Sequence, residues 1–243
     1  MKHLSFPIKK SLALLIDPDK STGRSLDKLL SLATLHDVDY IFTGGSITFS
    51  SIDNLISSIK ERCKIPVVLF PGNLLQLSNN ADSILLLSLI SGRNPELLIG
   101  NHVLAAPFLR NVREKLVPVG YILISCGSKT SVEYMSQTEA IPSDKSDIVV
   151  ATAMAGEMLG LKMIYLEGGS GALKPVPPEL IGNVRKNINI PIAVGGGLKN
   201  AGQIEAAYRE GADLVILGNG VEKNPSLLKE GCMVRDKMRK QRK

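Results

Sequence analysis

The chain has 243 residues, 44% apolar and 21% charged: a length matching one barrel domain of roughly 250 residues, and a composition too apolar for disorder. Its start, Met1 to Lys10, is polar and basic and no apolar run is long enough for a membrane span, so a cytoplasmic location is expected. The net charge of +6 gives little support for nucleic-acid binding, because the last nine residues, Arg235 to Lys243, hold six Lys/Arg and one Asp; they read as a solvated, frayed basic tail on a single domain spanning 1–243, with weak attraction to an anionic membrane surface as the alternative.

In chain order, Leu12 to Ile16 reads as the first strand and Leu26 to His36 as the first helix. Asp39 to Thr43 reads as a strand, Ile52 to Arg62 as a helix and Val67 to Phe70 as the third strand. Only about a dozen residues, Pro71 to Asp82, then precede the fourth run, Ser83 to Leu87. They contain Pro71, Gly72, Asn79 and Asn80, so a full crossover helix hardly fits. A gap in the outer ring beside strands three and four would leave an apolar groove suited to a long hydrocarbon. Glu96 to Arg113 is helical, Gly120 to Ile124 is the fifth strand, and Thr130 to Asp147 reads as a loop with a small extra helix. Met163 to Glu167, Ile192 to Val194 and Leu214 to Leu217 complete eight runs, with a helix at Gln203 to Glu210 between the last two. The runs are continuous rather than alternating, as in strands buried on both faces. Strand alternating with helix eight times implies an α/β fold, a (β/α)8 TIM barrel with a reduced or missing third helix. An open Rossmann sheet is disfavoured because Asp17-Pro18-Asp19-Lys20, not a GxGxxG turn, follows the first strand.

Barrels keep their active sites at strand C-termini, and the unusual residues fall there. Asp17 and Asp19 follow the first strand and Gly44-Gly45-Ser46 the second. A carboxylate and a hydroxyl at neighbouring strand ends can share Mg2+ with several waters, although either Asp can equally cap a following helix. The sixth strand runs into Tyr165-Leu166-Glu167-Gly168-Gly169-Ser170-Gly171, where Glu167 is a candidate general base or a surface carboxylate on a glycine turn. Gly195-Gly196-Gly197 and Gly218-Asn219-Gly220 end the last two strands. Paired glycine motifs there, with their backbone N–H groups, suit a phosphate. His3, His36 and His102 fall elsewhere, which speaks against histidine chemistry. Cys63, Cys126 and Cys232 are odd in number and lack CxxC spacing, so they suggest neither disulfides nor zinc. The competing readings are another phosphosugar isomerase barrel and a non-catalytic phosphometabolite sensor.

In combination these motifs, with Phe70-Pro71-Gly72 and Asn94-Pro95-Glu96 between them, resemble the geranylgeranylglyceryl phosphate synthase family, which includes the bacterial heptaprenylglyceryl phosphate synthases. The resemblance runs from Ile16 to Asn219. It implies Mg2+ at Asp17 and Ser46. It also implies sn-glycerol 1-phosphate at Tyr165, Leu166, Glu167, Gly168, Gly169, Ser170, Gly171, Gly196, Gly197, Gly218 and Asn219. A prenyl diphosphate, C20 in preference to C35, would be the second substrate, and a homo-oligomer the assembly. The implied reaction is attack by the glycerol 3-hydroxyl on the first prenyl carbon, with Glu167 taking the proton. One departure is Leu15, where some archaeal relatives carry Lys.

Overall fold

A computed structural model describes residues 9–127 and 129–241. Its strands are β1 (Ser11–Ile16), β2 (Tyr40–Thr43), β3 (Val67–Leu69), β4 (Ser83–Leu89), β5 (Leu116–Ser125), a two-residue β6 (Ile141–Pro142), β7 (Met163–Glu167), β8 (Ile192–Gly195) and β9 (Leu214–Leu217). All pairings are parallel. β1 pairs with both β2 and β9, and β4 with β5, so eight strands close into a barrel while β6 extends β5 outside it. The eight sequence runs all appear as strands, with one marked difference in length: β5 begins at Leu116 rather than Gly120. Closure requires the extra residues, since Leu116 to Val119 pair with Ile84 to Leu87. Pro118 is tolerated within that stretch because its carbonyl still accepts from Lys162 N at 2.8 Å.

Side-chain alternation divides the apolar residues into two cores. Leu12, Leu14 and Ile16 point outward into the large core under the helices. Ala13, Phe42, Val68, Tyr121, Met163, Tyr165 and Ala193 fill the barrel itself. This parity places the site, because Asp17 follows Ala13 and Leu15, and Glu167 follows Met163 and Tyr165, on the inward face.

The helices are α1 (Gly23–Leu35), α2 (Ile52–Arg62), α3 (Asn101–Leu109), α4 (Ser131–Ser136), α5 (Ser146–Met158), α6 (Pro178–Arg185), α7 (Ala201–Arg209), α8 (Asn219–Lys223) and α9 (Ser226–Lys240). α2 shows how locally these are encoded. Ser51 caps it by accepting from Asn54 N, Asp53 lies in the first turn and Lys60 and Arg62 in the last, and Ile52, Leu55, Ile56 and Ile59 form one buried stripe. Between β3 and β4 only a 3-10 turn, Leu74–Gln76, remains of the third helix. The expected Glu96 to Arg113 helix is broken into a π turn (Glu96–Gly100), α3 and a 3-10 segment (Arg110–Lys115). Pro107 inside α3 cannot donate a backbone hydrogen bond, which weakens a longer helix there.

The reading of Arg235 onward as a frayed tail is overturned. α9 continues to Lys240, and Arg235 is 1% exposed. Its guanidinium donates to Asp39 Oδ2 at 3.0 Å and to the Asp37 carbonyl at 2.6 Å, and Arg239 donates to Asp39 Oδ1 at 2.6 Å. Asp39 opens β2 at the end of the barrel opposite the candidate site, so two basic residues bind α9 to the barrel floor. His3, most of the Met1 to Lys10 segment and the last two residues of the basic run lie outside the described residues.

Candidate active site

Glu167 ends β7 with only 6% of its surface exposed. Its Oε1 accepts the Gly169 N–H at 2.6 Å, and the Tyr165 hydroxyl also bonds to the carboxylate. Burial raises the Glu167 pKa above the usual carboxylate range, and the bonds from Tyr165 and Gly169 oppose that rise without cancelling it. Tyr165 lies in the barrel interior, where burial holds its hydroxyl pKa well above the ordinary value; it therefore stays protonated and can donate. The result is a nearly dry carboxylate whose proton affinity has moved toward neutrality, a property suited to a general base.

The glycines around Glu167 make room for it. A Cβ on Gly196 would fall 2.5 Å from Glu167 Oε1 and 2.6 Å from Gly169 N, and Gly196 has φ +82°. A Cβ on Gly169, at φ +95°, would collide with the Thr130 side chain. Gly195 pairs with Glu167 across the β7–β8 ladder. Asn219, which opens α8 after β9, donates from Nδ2 to Ser170 Oγ at 2.7 Å. The loops after β7, β8 and β9 thus form one continuous rim holding Glu167, Ser170, Gly196 and Asn219. Gly218, beside the Leu15 side chain, closes it toward β1.

The loops after β1 and β2 form a second cluster. Asp17 pairs with Lys20 at 2.7 Å and accepts the Asp19 N–H. Asp19 accepts from Phe49 N at 3.0 Å and Ser50 N at 2.8 Å, which lowers its pKa. Neither Asp caps α1, whose N-cap is Thr22. Asp19 instead fastens the loop that carries Ser46. Among the described residues no group of three or more His, Cys, Asp or Glu is placed to hold a metal ion.

Two further contributors are Gln76, which lies in no sequence motif, and Phe70, of the Phe70-Pro71-Gly72 motif. Gln76, 1% exposed in the remnant of the third helix, donates to the Gly45 carbonyl at 2.6 Å and accepts from Gly45 N and Gly72 N. It locks the Ser46 loop to the loop after β3. Phe70 stacks on Tyr165 with ring centroids 5.5 Å apart, and Tyr121 meets Tyr165 edge-on at 5.2 Å, so an aromatic floor lies beneath Glu167.

A profile of the PcrB family matches residues 8–235. The chain belongs to the PcrB family. Its relatives include the geranylgeranylglyceryl phosphate synthase of Chitinophaga pinensis, 48% identical over 222 residues that cover 91% of this chain and 88% of that protein. The enzyme of the same name from Thermococcus gammatolerans is 37% identical over 229 residues, covering 93% of this chain and 90% of that protein. Among solved structures, (S)-3-O-geranylgeranylglyceryl phosphate synthase from Thermoplasma acidophilum, in complex with its substrate sn-glycerol-1-phosphate, superposes with a TM-score of 0.88 at 27% identity, over 95% of this chain and 94% of that one.

Two histidines of this PcrB-family barrel stand apart from the rim. His36 is the C-cap of α1, at the far end of the barrel, and His102 on α3 bonds to the Leu87 carbonyl. Cys126 lies beside Gly168, but burial, helped by the Glu167 charge, pushes its thiol up to about 11, so it stays un-ionised. Asn94 of the Asn-Pro-Glu motif donates to the Ser136 carbonyl and accepts from Glu96 N, which joins the loop after β4 to α4.

Proposed function

We propose that this protein catalyses ether-bond formation between the 3-hydroxyl of sn-glycerol 1-phosphate and geranylgeranyl diphosphate in the cytoplasm. It is a prenyltransferase of the geranylgeranylglyceryl phosphate synthase type. The observation that carries the residue-level reading is the buried, proton-hungry Glu167 on a glycine rim drawn from three consecutive strand ends. The backbone N–H groups of Gly196, Gly197, Gly218 and Asn219 receive the phosphate of glycerol 1-phosphate, and Tyr165 to Gly171 receive its glycerol part. The 3-hydroxyl oxygen then attacks the first prenyl carbon while the bond to diphosphate breaks, the electron pair leaving with diphosphate. The hydroxyl proton passes to Glu167 and from there to water.

Asp17 and Ser46 would hold Mg2+, since a carboxylate and a hydroxyl at neighbouring strand ends are the hard oxygen donors that ion takes; it would supply neutralisation of charge on the leaving diphosphate. Asp19 and Gln76 keep the Ser46 loop in place for that contact. The prenyl chain leaves the mouth over β3 and β4, where a single 3-10 turn replaces a helix and Phe70, Leu87 and Leu97 present half-buried apolar surface packed against the barrel's inner core. A phosphosugar isomerase would need two opposed acid–base carboxylates, whereas Asp17 is paired with Lys20. The expected homo-oligomer is best accommodated at α3 and α5, which leave Val103, Leu104, Phe108 and Ile148 exposed.

Purified protein incubated with glycerol 1-phosphate, labelled geranylgeranyl diphosphate and Mg2+ should yield labelled ether lipid phosphate. Absence of product at saturating substrates would overturn the reading.

A further inference from the structure

The mouth of the barrel carries apolar side chains that no water-soluble substrate requires. Ile47 and Phe49 on the loop after β2, Leu75 on the turn after β3, Tyr134 and Met135 on α4 after β5, and Leu173 on the loop after β7 are each at least half exposed; Phe49 and Leu75 reach 92% and 95%. Every one follows the carboxyl end of a parallel strand, so they share one end of the barrel. They project from four separate segments and do not form a groove or the stripe of one helix. A folded protein partner would need matching hollows for such scattered protrusions. A bilayer interface takes them up one at a time.

Charge and chemistry favour the same partner. Lys129, Lys174 and Lys199 are exposed on these mouth loops, and Lys199 Nζ donates to the carbonyl of the exposed Leu173 at 2.8 Å. Of the carboxylates on these segments, Asp17 is paired with Lys20, Asp19 accepts from the Phe49 and Ser50 N–H groups and Glu133 is held in the Thr130 capping box, while Glu139 and Glu222 are exposed. Basic groups beside apolar tips match an anionic headgroup layer. By contrast, Arg235 and Arg239 of α9 are committed to Asp39 at the opposite end. On the prenyltransferase reading, on which this reasoning rests, a long hydrocarbon must enter and leave the mouth. Each methylene exposed to water disfavours release about fourfold.

We propose that the catalytic end of the barrel docks on an anionic bilayer surface through Phe49, Tyr134, Leu173 and their neighbours, so that the prenyl chain passes between site and bilayer without crossing water. Flotation with phosphatidylcholine vesicles, with and without phosphatidylglycerol, tests this using the intact chain and no substrate. The protein should float with the anionic vesicles and less with the neutral ones. The double variant Phe49→Ser/Tyr134→Ser should bind about a hundredfold more weakly, roughly tenfold for each side chain removed from the interface. Its thermal midpoint should match the parent's, because both side chains are exposed. The proposal is overturned if the parent stays at the bottom with both vesicles, or if the double variant floats equally well. It is also overturned if the parent fails to float but forms a self-associated species that the double variant disperses, since the rim would then belong to a second copy. Prenyl transfer is assayed separately with detergent-dispersed substrate, so a protein that floats but does not transfer would count against the reaction and not against the docking.

Discussion

Glu167→Gln separates proton acceptance from packing. The amide keeps an oxygen for the Gly169 N–H, and the Tyr165 hydroxyl, which donates to the carboxylate, can turn and accept from the new NH2. Only the Tyr165 O–H loses its acceptor, and the variant should fold. Loss of the proton acceptor should lower turnover by about 10² to 10⁴, equivalent to roughly 3 to 5.5 kcal/mol in the barrier. Affinity for glycerol 1-phosphate should change far less. Stability should move the other way. Burial raises the native pKa of Glu167 above its unfolded value, so the native state binds this proton more tightly. Below the ordinary carboxylate pKa the group then has no effect, whereas native stability falls as pH rises through the window between the unfolded and native values, and the loss is complete above it. Gln escapes that loss, so the variant should be more stable than the parent at neutral pH and equal to it in acid. Initial rates with both substrates saturating, together with urea unfolding at acidic and neutral pH, measure both effects. Turnover within a factor of three of the parent, or a stability difference that ignores pH, would refute the assignment of a buried base.

Gly196→Ala should cost at least a hundredfold in turnover, because its Cβ would fall 2.5 Å from Glu167 Oε1; kcat from initial rates checks this, and circular dichroism should still report a folded barrel. Asp17→Asn should raise the Mg2+ concentration for half-maximal rate at least tenfold. Because Lys20 of the Asp17–Lys20 pair is exposed and Asp17 only half-buried, the variant's melting temperature should change little. Arg235→Ala should lower stability by about 3 to 5 kcal/mol, since it empties a buried site, takes the donor from the Asp37 carbonyl and leaves Asp39 with Arg239 as its remaining cation. For a chain of this size that is a fall of roughly 6 °C or more in Tm, and deletion from residue 235 onward should leave no folded protein by the same measurement.

What could be read from the sequence follows the range of the interactions involved. Continuous apolar runs such as Met163 to Glu167 encode strands buried on both faces, and the cap, charges and stripe of Ile52 to Arg62 lie within one short window. The glycine motifs fall at the ends of β7, β8 and β9, but nothing local shows that Gly196 clears space for a carboxylate 29 positions earlier. Gln76 carries no signature within its own window; its work is done on Gly45, 31 residues away. Arg235 sat in a run of basic residues that by composition resembles any solvated tail, and only its partner Asp39, 196 positions distant, makes it a buried anchor. Local windows cannot register such pairs.

The pairing of β1 with β9, the Arg235–Asp39 bridge and the bond from Arg239 to the Lys10 carbonyl span 196 to 229 residues. Such contacts give no reward until nearly the whole chain is available, so loop-closure entropy falls heavily on the final step of folding. During synthesis β1 therefore waits with an open hydrogen-bonding edge until β9 and α9 have emerged, which makes the half-made barrel the species most prone to aggregate. A circular permutant that places this seam inside a continuous polypeptide should shorten that wait and refold faster than the parent, with the barrel mouth unaltered.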